Sequence, residues 1–367
     1  MLPRDQVDSL TVGILGVIFV SSSLIFFLPP LLVGAAGRDA WLAALVAAPL
    51  IAVVVAAWLR FYFLPGLTPL DRTGGRPLLR GVVAWLLAAY ALYQGGSVLG
   101  ETVGVLVIIY PETPAAVFHG SLVLAAWVLA VYGREVIART AVVLAPVMLL
   151  TVLGNLALVV PSNVDAGQLL PILETGWGRL LAGLPFMAAT TAEAFLLSFF
   201  ADGIRDRPRI GRALALAAAV SILLLAGVTT LDLTILGPQE TARNVVPTLV
   251  VMRLVRLAPV LARVESLIFS AWLLGIFVKL ALCIYVAGLA MREGLGLTER
   301  WRTVIKTTAA ALTLASAAYF FPDMGRVQDQ LASVWPAVGT GMLLLSLALG
   351  FVRVAGPAGA GHDPGRK

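Results

Sequence analysis

A chain of 367 residues that is 60% hydrophobic and 13% charged, with a mean hydropathy of +0.96, carries more apolar surface than a soluble domain of that size can enclose. At roughly 20 apolar residues per membrane span, the length allows about ten passes and leaves no room for a large soluble domain. The net charge of +6 does not point to nucleic acid, because the cations fall between apolar runs and form no stripe.

The first apolar run, 10–35, contains Ser21, Ser22 and Ser23 and then Pro29 and Pro30. No small-residue cleavage site separates it from the second run, 40–64, so it reads as a retained helix. The third, 81–110, carries Gly95, Gly96, Ser97, Gly100 and Gly104 near four-residue spacing, which lets a neighbouring backbone approach. It also carries Glu101 at membrane depth.

Runs at 114–132 and 137–161 follow. Arg134, Glu135 and Arg139 open the latter, where they serve either as a gate or as an interfacial anchor. The sixth run, 179–201, is irregular like the first, with Gly183, Pro185, Thr190, Thr191 and Glu193. Glu193 faces a substrate, binds a proton or caps the second half of a broken helix.

The seventh run is 210–236. A long connection after it repeats Val250, Val251, Leu254, Val255 and Leu257 at helical spacing, as a short amphipathic helix lying over a cavity would. The eighth run, 265–290, places Glu265 and Lys279 on one face but about 21 Å apart along the axis, so they cannot pair. Lys279 needs a carboxylate from another helix, and Glu193 and Glu101 are the candidates; the pair is either a structural lock between two helices or part of the function, and one that breaks during gating satisfies both readings. Cys283, the sole cysteine, sits in this run and excludes a disulfide framework. The last runs are 303–321 and 331–353.

With both ends inside, the outer connections hold only Arg38, Arg179, Arg243, Arg253, Arg256, Arg263 and Arg326. Every other cation except Lys279 is then cytoplasmic, which satisfies the positive-inside rule. Trp41, Trp58, Trp85, Trp127, Trp177, Trp301 and Trp335 lie near run ends, as an aromatic belt would, and Trp272 lies within its run. His119 and His362 have no metal-ligand spacing around them, and no P-loop or dinucleotide fingerprint appears, so the reading is a non-enzyme without cofactor or metal.

Ten helices divide into two repeats of five. Five is odd, so the second copy is inverted and helices one and six correspond. Paired interruptions in those two helices point to a midplane binding site, where freed amide and carbonyl ends can hold a zwitterion. The fold class is therefore an all-α integral membrane protein with about ten transmembrane helices. It is read as a five-plus-five inverted-repeat, transporter-like fold with broken helices 1 and 6. Residues 1–355 form one transmembrane domain, repeat one spanning about 8–161 and repeat two about 178–353, with a cytoplasmic tail at 356–367. Ser21, Ser22, Ser23, Thr190, Thr191 and Glu193 are the candidate ligand-binding residues; Glu101, Glu193, Lys279 and Glu265 are the candidate buried or coupling charges.

Arg263-Val264-Glu265-Ser266-Leu267, with Trp272, Gly275, Phe277 and Lys279, resembles the helix-eight signature of the spore germination receptor B-subunit family. Gly37-Arg38-Asp39-Ala40-Trp41, Pro111-Glu112-Thr113-Pro114, Gly133 to Arg139 and Gln168 to Gly176 echo the same family in the same order. The family is related to amino-acid permeases of the amino acid, polyamine and organocation superfamily, which implies the same inverted repeat. The resemblance further implies a nutrient sensor in the inner membrane of a bacterial spore, working with an A subunit and a lipoprotein C subunit and triggered by a small molecule such as an amino acid. Two departures stand out: Ser22-Ser23-Leu24 replaces a glycine-containing turn, and Thr190-Thr191-Ala192-Glu193 stands where Pro-Phe-Gly-Glu is usual. Losing a glycine and gaining hydroxyls changes the site, so a changed or smaller ligand is expected. The competing reading is a secondary transporter moving an amino acid with protons, with Glu193 or another buried carboxylate as carrier.

Overall fold

A computed structural model describes residues 6–174, 176–254 and 264–352. The tail placed at 356–367, with Val255 and Leu257 of the proposed outer helix, lies outside the described residues. The helices are α1 (Ser9–Ala36), α2 (Ala40–Trp58), α3 (Pro77–Ile109), α4 (Ala115–Tyr132), α5 (Arg134–Asn163), α6 (Gly176–Leu181) and α7 (Leu184–Glu193). They continue as α8 (Arg207–Arg243), α9 (Pro247–Leu254), α10 (Val264–Gly294), α11 (Arg302–Phe320), α12 (Met324–Asp329) and α13 (Trp335–Gly350).

Each of the ten apolar runs coincides with helix, because a backbone in lipid must satisfy its own hydrogen bonds. Seven helical stretches among the described residues are long and apolar enough to cross a membrane, and one of them, Ile25–Phe63, runs from the end of α1 through α2. A short helix does occur in the connection after the seventh run, α9, seen over Pro247–Leu254. The seventh run extends past its expected end, since a turn at Gly237 (φ 77°) redirects the chain and helix resumes at Pro238.

Packing follows a two-fold scheme in which α1, α2, α3, α4 and α5 correspond to α7, α8, α10, α11 and α13. Several contacts come in related pairs: α1 on α8 with α7 on α2, α1 on α5 with α7 on α13, α4 on α10 with α11 on α3, and α2 on α13 with α8 on α5; others, such as α5 on α10, have no comparable counterpart. An inverted repeat produces this pattern, and α10 and α3, which pack on each other, form its centre. Close approach on α3 is real at Gly100, where an added Cβ would lie 2.4 Å from the Cβ of Phe321.

On the face carrying the N-terminus, here the near face, the segment before α1 is stapled to the connection after the sixth pass. Val7 N–H donates to the Gly203 carbonyl (3.0 Å) and Arg205 N–H to the Val7 carbonyl (3.1 Å), a single parallel bridge between the chain before α1 and the connection after the sixth pass. Ser9 N–H donates to Asp206 Oδ1 (2.7 Å) and the Ser9 hydroxyl to the Asp206 carbonyl (2.9 Å). Arg134 pairs with Asp202 and donates to the Phe199 carbonyl, so this arginine joins α5 to the sixth pass. Glu135 and Arg139 pair with each other one turn apart.

Burial pushes the Asp206 carboxyl up, but the bonds from Ser9 and the nearby Arg209 outweigh it and hold the group below the usual carboxylate range. A lowered folded value stabilises above the unfolded value of about 3.9 and is lost as pH falls through the folded one. Hydrogen exchange of residues 203–209 should therefore accelerate below about pH 4 in the wild type. Asp206→Ala should show the fast exchange already at neutral pH; equal protection in the two proteins would remove the staple.

Candidate ligand site between the first and sixth passes

Lys279 sits on α10 with no solvent exposure, and an ammonium there requires an anion. Its Nζ lies 2.5 Å from Glu193 Oε2, which answers the choice left open between Glu193 and Glu101. The other Glu193 oxygen accepts from Trp335 Nε1 at 3.2 Å, so the carboxylate binds α7, α10 and α13 together. The Lys279 ammonium also lies 5.2 Å from the centre of the Phe19 ring on α1. Glu193 is the last residue of α7, and the pass continues as 3-10 helix through Gly203, so the winding changes at the carboxylate. This is the form the interruption of the sixth helix takes.

The first helix, expected to be broken, is continuous from Ser9 to Ala36. Hydrogen-bonded helix runs through Pro29 and Pro30, but two of its carbonyls take donors from elsewhere: Trp272 Nε1 donates to the Ser22 carbonyl (2.5 Å) and the Thr248 hydroxyl donates to the Ile25 carbonyl (2.8 Å). That is why Trp272 stands apart from an aromatic belt. Trp58 and Trp335 leave the belt too, being buried and bonded to Ser346 and Glu193; proximity to a run end does not distinguish a lipid-facing indole from one turned inward.

Glu101 on α3 accepts from the Ser97 hydroxyl (2.6 Å) through Oε1, while its Oε2 is buried without a partner. Glu101, Thr190, Glu193 and Trp335 line a small cavity of about 20 Å³, closed by Phe27, Leu28, Leu31 and Leu331. That is space for about one water. Phe27, Leu31 and Leu331 also line a larger cavity of about 390 Å³ towards the far face, bounded by Gln328 and Asp329. These three apolar side chains partition a vestibule from the buried charges.

The predicted ligand residues distribute unevenly about this cavity. Thr190 lines it, although its hydroxyl donates to the Phe186 carbonyl (3.0 Å). Thr191 donates to the Met187 carbonyl (2.7 Å) and lines, with Thr190, a separate apolar cavity of about 70 Å³ among α1, α2, α7 and α8. Ser22 donates to the Phe19 carbonyl (3.1 Å), and the buried Ser21 hydroxyl has no partner. The side chains of Ser23 and Glu265 lie outside the described residues.

Sequence reasoning missed Trp335 as a Glu193 partner, and it missed Asp232, which is fully buried on α8. Two of the quoted motifs meet on the far face: Leu173 N–H donates to Asp39 Oδ1 (2.9 Å) and Arg38 pairs with Glu174 (3.0 Å). This fastens the turn after the first pass to the segment before the sixth.

The sequence profile described as spore germination protein matches residues 6–319. Spore germination protein XB of Bacillus anthracis is 23% identical over 265 residues, covering 70% of this chain and 73% of the relative. Among solved structures, the fold is similar to a Na+-coupled sialic acid symporter in a substrate-bound outward-open state (TM-score 0.72, 12% identity, 95% of this chain and 80% of the other). It is also similar to MhsT in complex with L-phenylalanine (TM-score 0.65, 14% identity, 96% and 94%).

Proposed function

Because the chain belongs to the spore germination protein family, we propose that it is the membrane-embedded, nutrient-sensing subunit of a spore germination receptor. The nutrient is an amino acid, held at midplane between α1 and α7 in a fold whose halves span about 8–161 and 178–353. The observation that carries this reading is the unpartnered Glu101 oxygen at the closed end of the far-face vestibule. Beside it, Glu193 already has its cation in Lys279. Glu101 Oε2 has no hydrogen-bond partner, and an amino-acid ammonium can donate to it. Thr190 stands at the same cavity, and the amino acid bound to MhsT fits this assignment.

An amino acid exceeds the space left by Phe27, Leu31 and Leu331, so binding moves them and favours a more open arrangement of α1, α7 and α13. A ligand shifts such an equilibrium only through its different affinity for the two arrangements. The shift is passed to A and C subunits at the inner membrane of the spore, with the basic near face and both termini in the cytoplasm.

The second reading, a proton-coupled amino-acid transporter, is favoured by the likeness to two transporter folds. Uptake of labelled amino acids into proteoliposomes separates the two. A sensor binds without concentrating its ligand under a proton gradient, whereas robust concentrative uptake by the isolated chain would overturn the sensor reading.

A further inference from the structure

Asp232 on α8 is a further buried carboxylate, remote from the Glu193–Lys279 pair in its bonding. It has no solvent exposure, its Oδ1 has no partner, and its Oδ2 lies 2.8 Å from the hydroxyl oxygen of Thr248 on α9. That same hydroxyl oxygen lies 2.8 Å from the Ile25 carbonyl oxygen on α1. A threonine hydroxyl has one hydrogen. If Asp232 is ionised, two acceptors, Asp232 Oδ2 and the Ile25 carbonyl, compete for that hydrogen and one close contact is between two lone pairs. If Asp232 is a carboxylic acid, its Oδ2–H donates to Thr248, Thr248 donates to Ile25, and both contacts are hydrogen bonds.

We propose that Asp232, Thr248 and the Ile25 carbonyl form a proton-binding site, in which a proton held on Asp232 Oδ2 latches α9 onto α1. The described charges on the elements packed against α8 and α9 are engaged elsewhere, exposed or at the near end; in the Gly37–Asp39 turn, Arg38 pairs with Glu174 and Asp39 accepts from the Leu173 amide. α1 has no ionisable residue between Asp8 and its end, and α2 has none at all. Those of α5 are Arg134, Glu135 and Arg139 at the near face, engaged as described above. On α9, Arg253 is exposed. On α8, Arg207, Arg209 and Arg212 lie at the near end, and Glu240 and Arg243 pair beyond the Gly237 turn. On α10, Lys279 is committed to Glu193. Asp165, whose amide donates to the Thr234 carbonyl, spends its carboxylate on the Gly167 amide and Gln168. Thr229, one turn before Asp232, adds an unpartnered hydroxyl rather than a charge.

Loss of the proton leaves the Thr248 hydrogen to the carboxylate and strips the Ile25 carbonyl of its donor. The contact of α9 with α1 is then weakened on the far-face side of the ligand cavity. The latch stands on this geometry alone and holds for a sensor or a transporter.

Infrared spectroscopy of the full chain in lipid nanodiscs at neutral pH tests it. Asp232→Asn should remove one component of the protonated-carboxyl band, distinct from any component removed by Glu101→Gln. Thr248→Val should shift that component to higher frequency, because the acid loses its acceptor. Hydrogen exchange of 246–254 gives the second reading: several-fold faster in Thr248→Val, and unchanged in Asp232→Asn, whose amide donates to Thr248 as the acid does. A protonated-carboxyl band unaltered by Asp232→Asn, as an ionised or cation-loaded Asp232 would give, overturns the proposal. So does wild-type exchange in Thr248→Val.

Discussion

Lys279→Met is expected to destabilise the purified chain by about 3–5 kcal/mol, because it strands the Glu193 carboxylate in a buried site with only the Trp335 indole as donor. Glu193→Gln alone should cost a comparable amount by stranding the ammonium. The double variant, Glu193→Gln with Lys279→Met, is expected to recover most of the loss, since a buried pair replaced by uncharged groups of similar volume is often close to neutral. Unfolding of the three variants in detergent, followed as a thermodynamic cycle, measures the coupling. Additive losses would mean that the two charges do not hold each other. The double variant also separates stability from signalling: a chain that folds but no longer responds to nutrient would place the pair in the response, and one that folds and responds would confine it to packing.

Gly339→Ala is the second large effect. Position 339 on α13 faces the α7 backbone, where an added Cβ would lie 2.5 Å from both the Cα and the Cβ of Ala189. Backbone cannot swing aside as a side chain can, so α13 must move away from α7. That displacement also stretches the 3.2 Å bond from Trp335, one turn away, to Glu193. The expected cost is about 1–3 kcal/mol from overpacking, with a further loss if Glu193 gives up its indole donor. Gly341→Ala on the same helix, where a Cβ meets nothing within 4 Å, should be neutral or slightly stabilising. Equal thermal stability of the two variants would contradict the close packing of α13 on α7.

The passes were legible in the sequence because spanning a bilayer depends on apolar length alone, and every run from 10–35 to 331–353 became helix. Lys279 announced its need for an anion by depth, but the choice of Glu193 over Glu101 depends on helix rotation, which no spacing within one chain segment fixes. Asp232 escaped notice because it lies four residues before Leu236, near the end of its run, where a carboxylate reads as interfacial. The Gly237 turn and α9 fold back over it and make the site buried. Thr190 and Thr191 were legible as polar residues in a span, yet not as hydroxyls returned to their own helix. Trp335 read as belt for the same reason that Trp58 did: an indole at a run end faces lipid or core according to helix rotation.

Amino-acid binding at Glu101 is the centre of this account, and one measurement addresses it most directly. Thermal stability of the purified full chain in nanodiscs is recorded against a panel of amino acids, for the wild type and for Glu101→Gln. At least one amino acid should raise the wild-type melting temperature in a concentration-dependent way, as a ligand that binds only the folded state must. Glu101→Gln, folded and equally stable without ligand, should lose that shift. An undiminished shift in Glu101→Gln, or no shift from any amino acid in the wild type, would contradict the account.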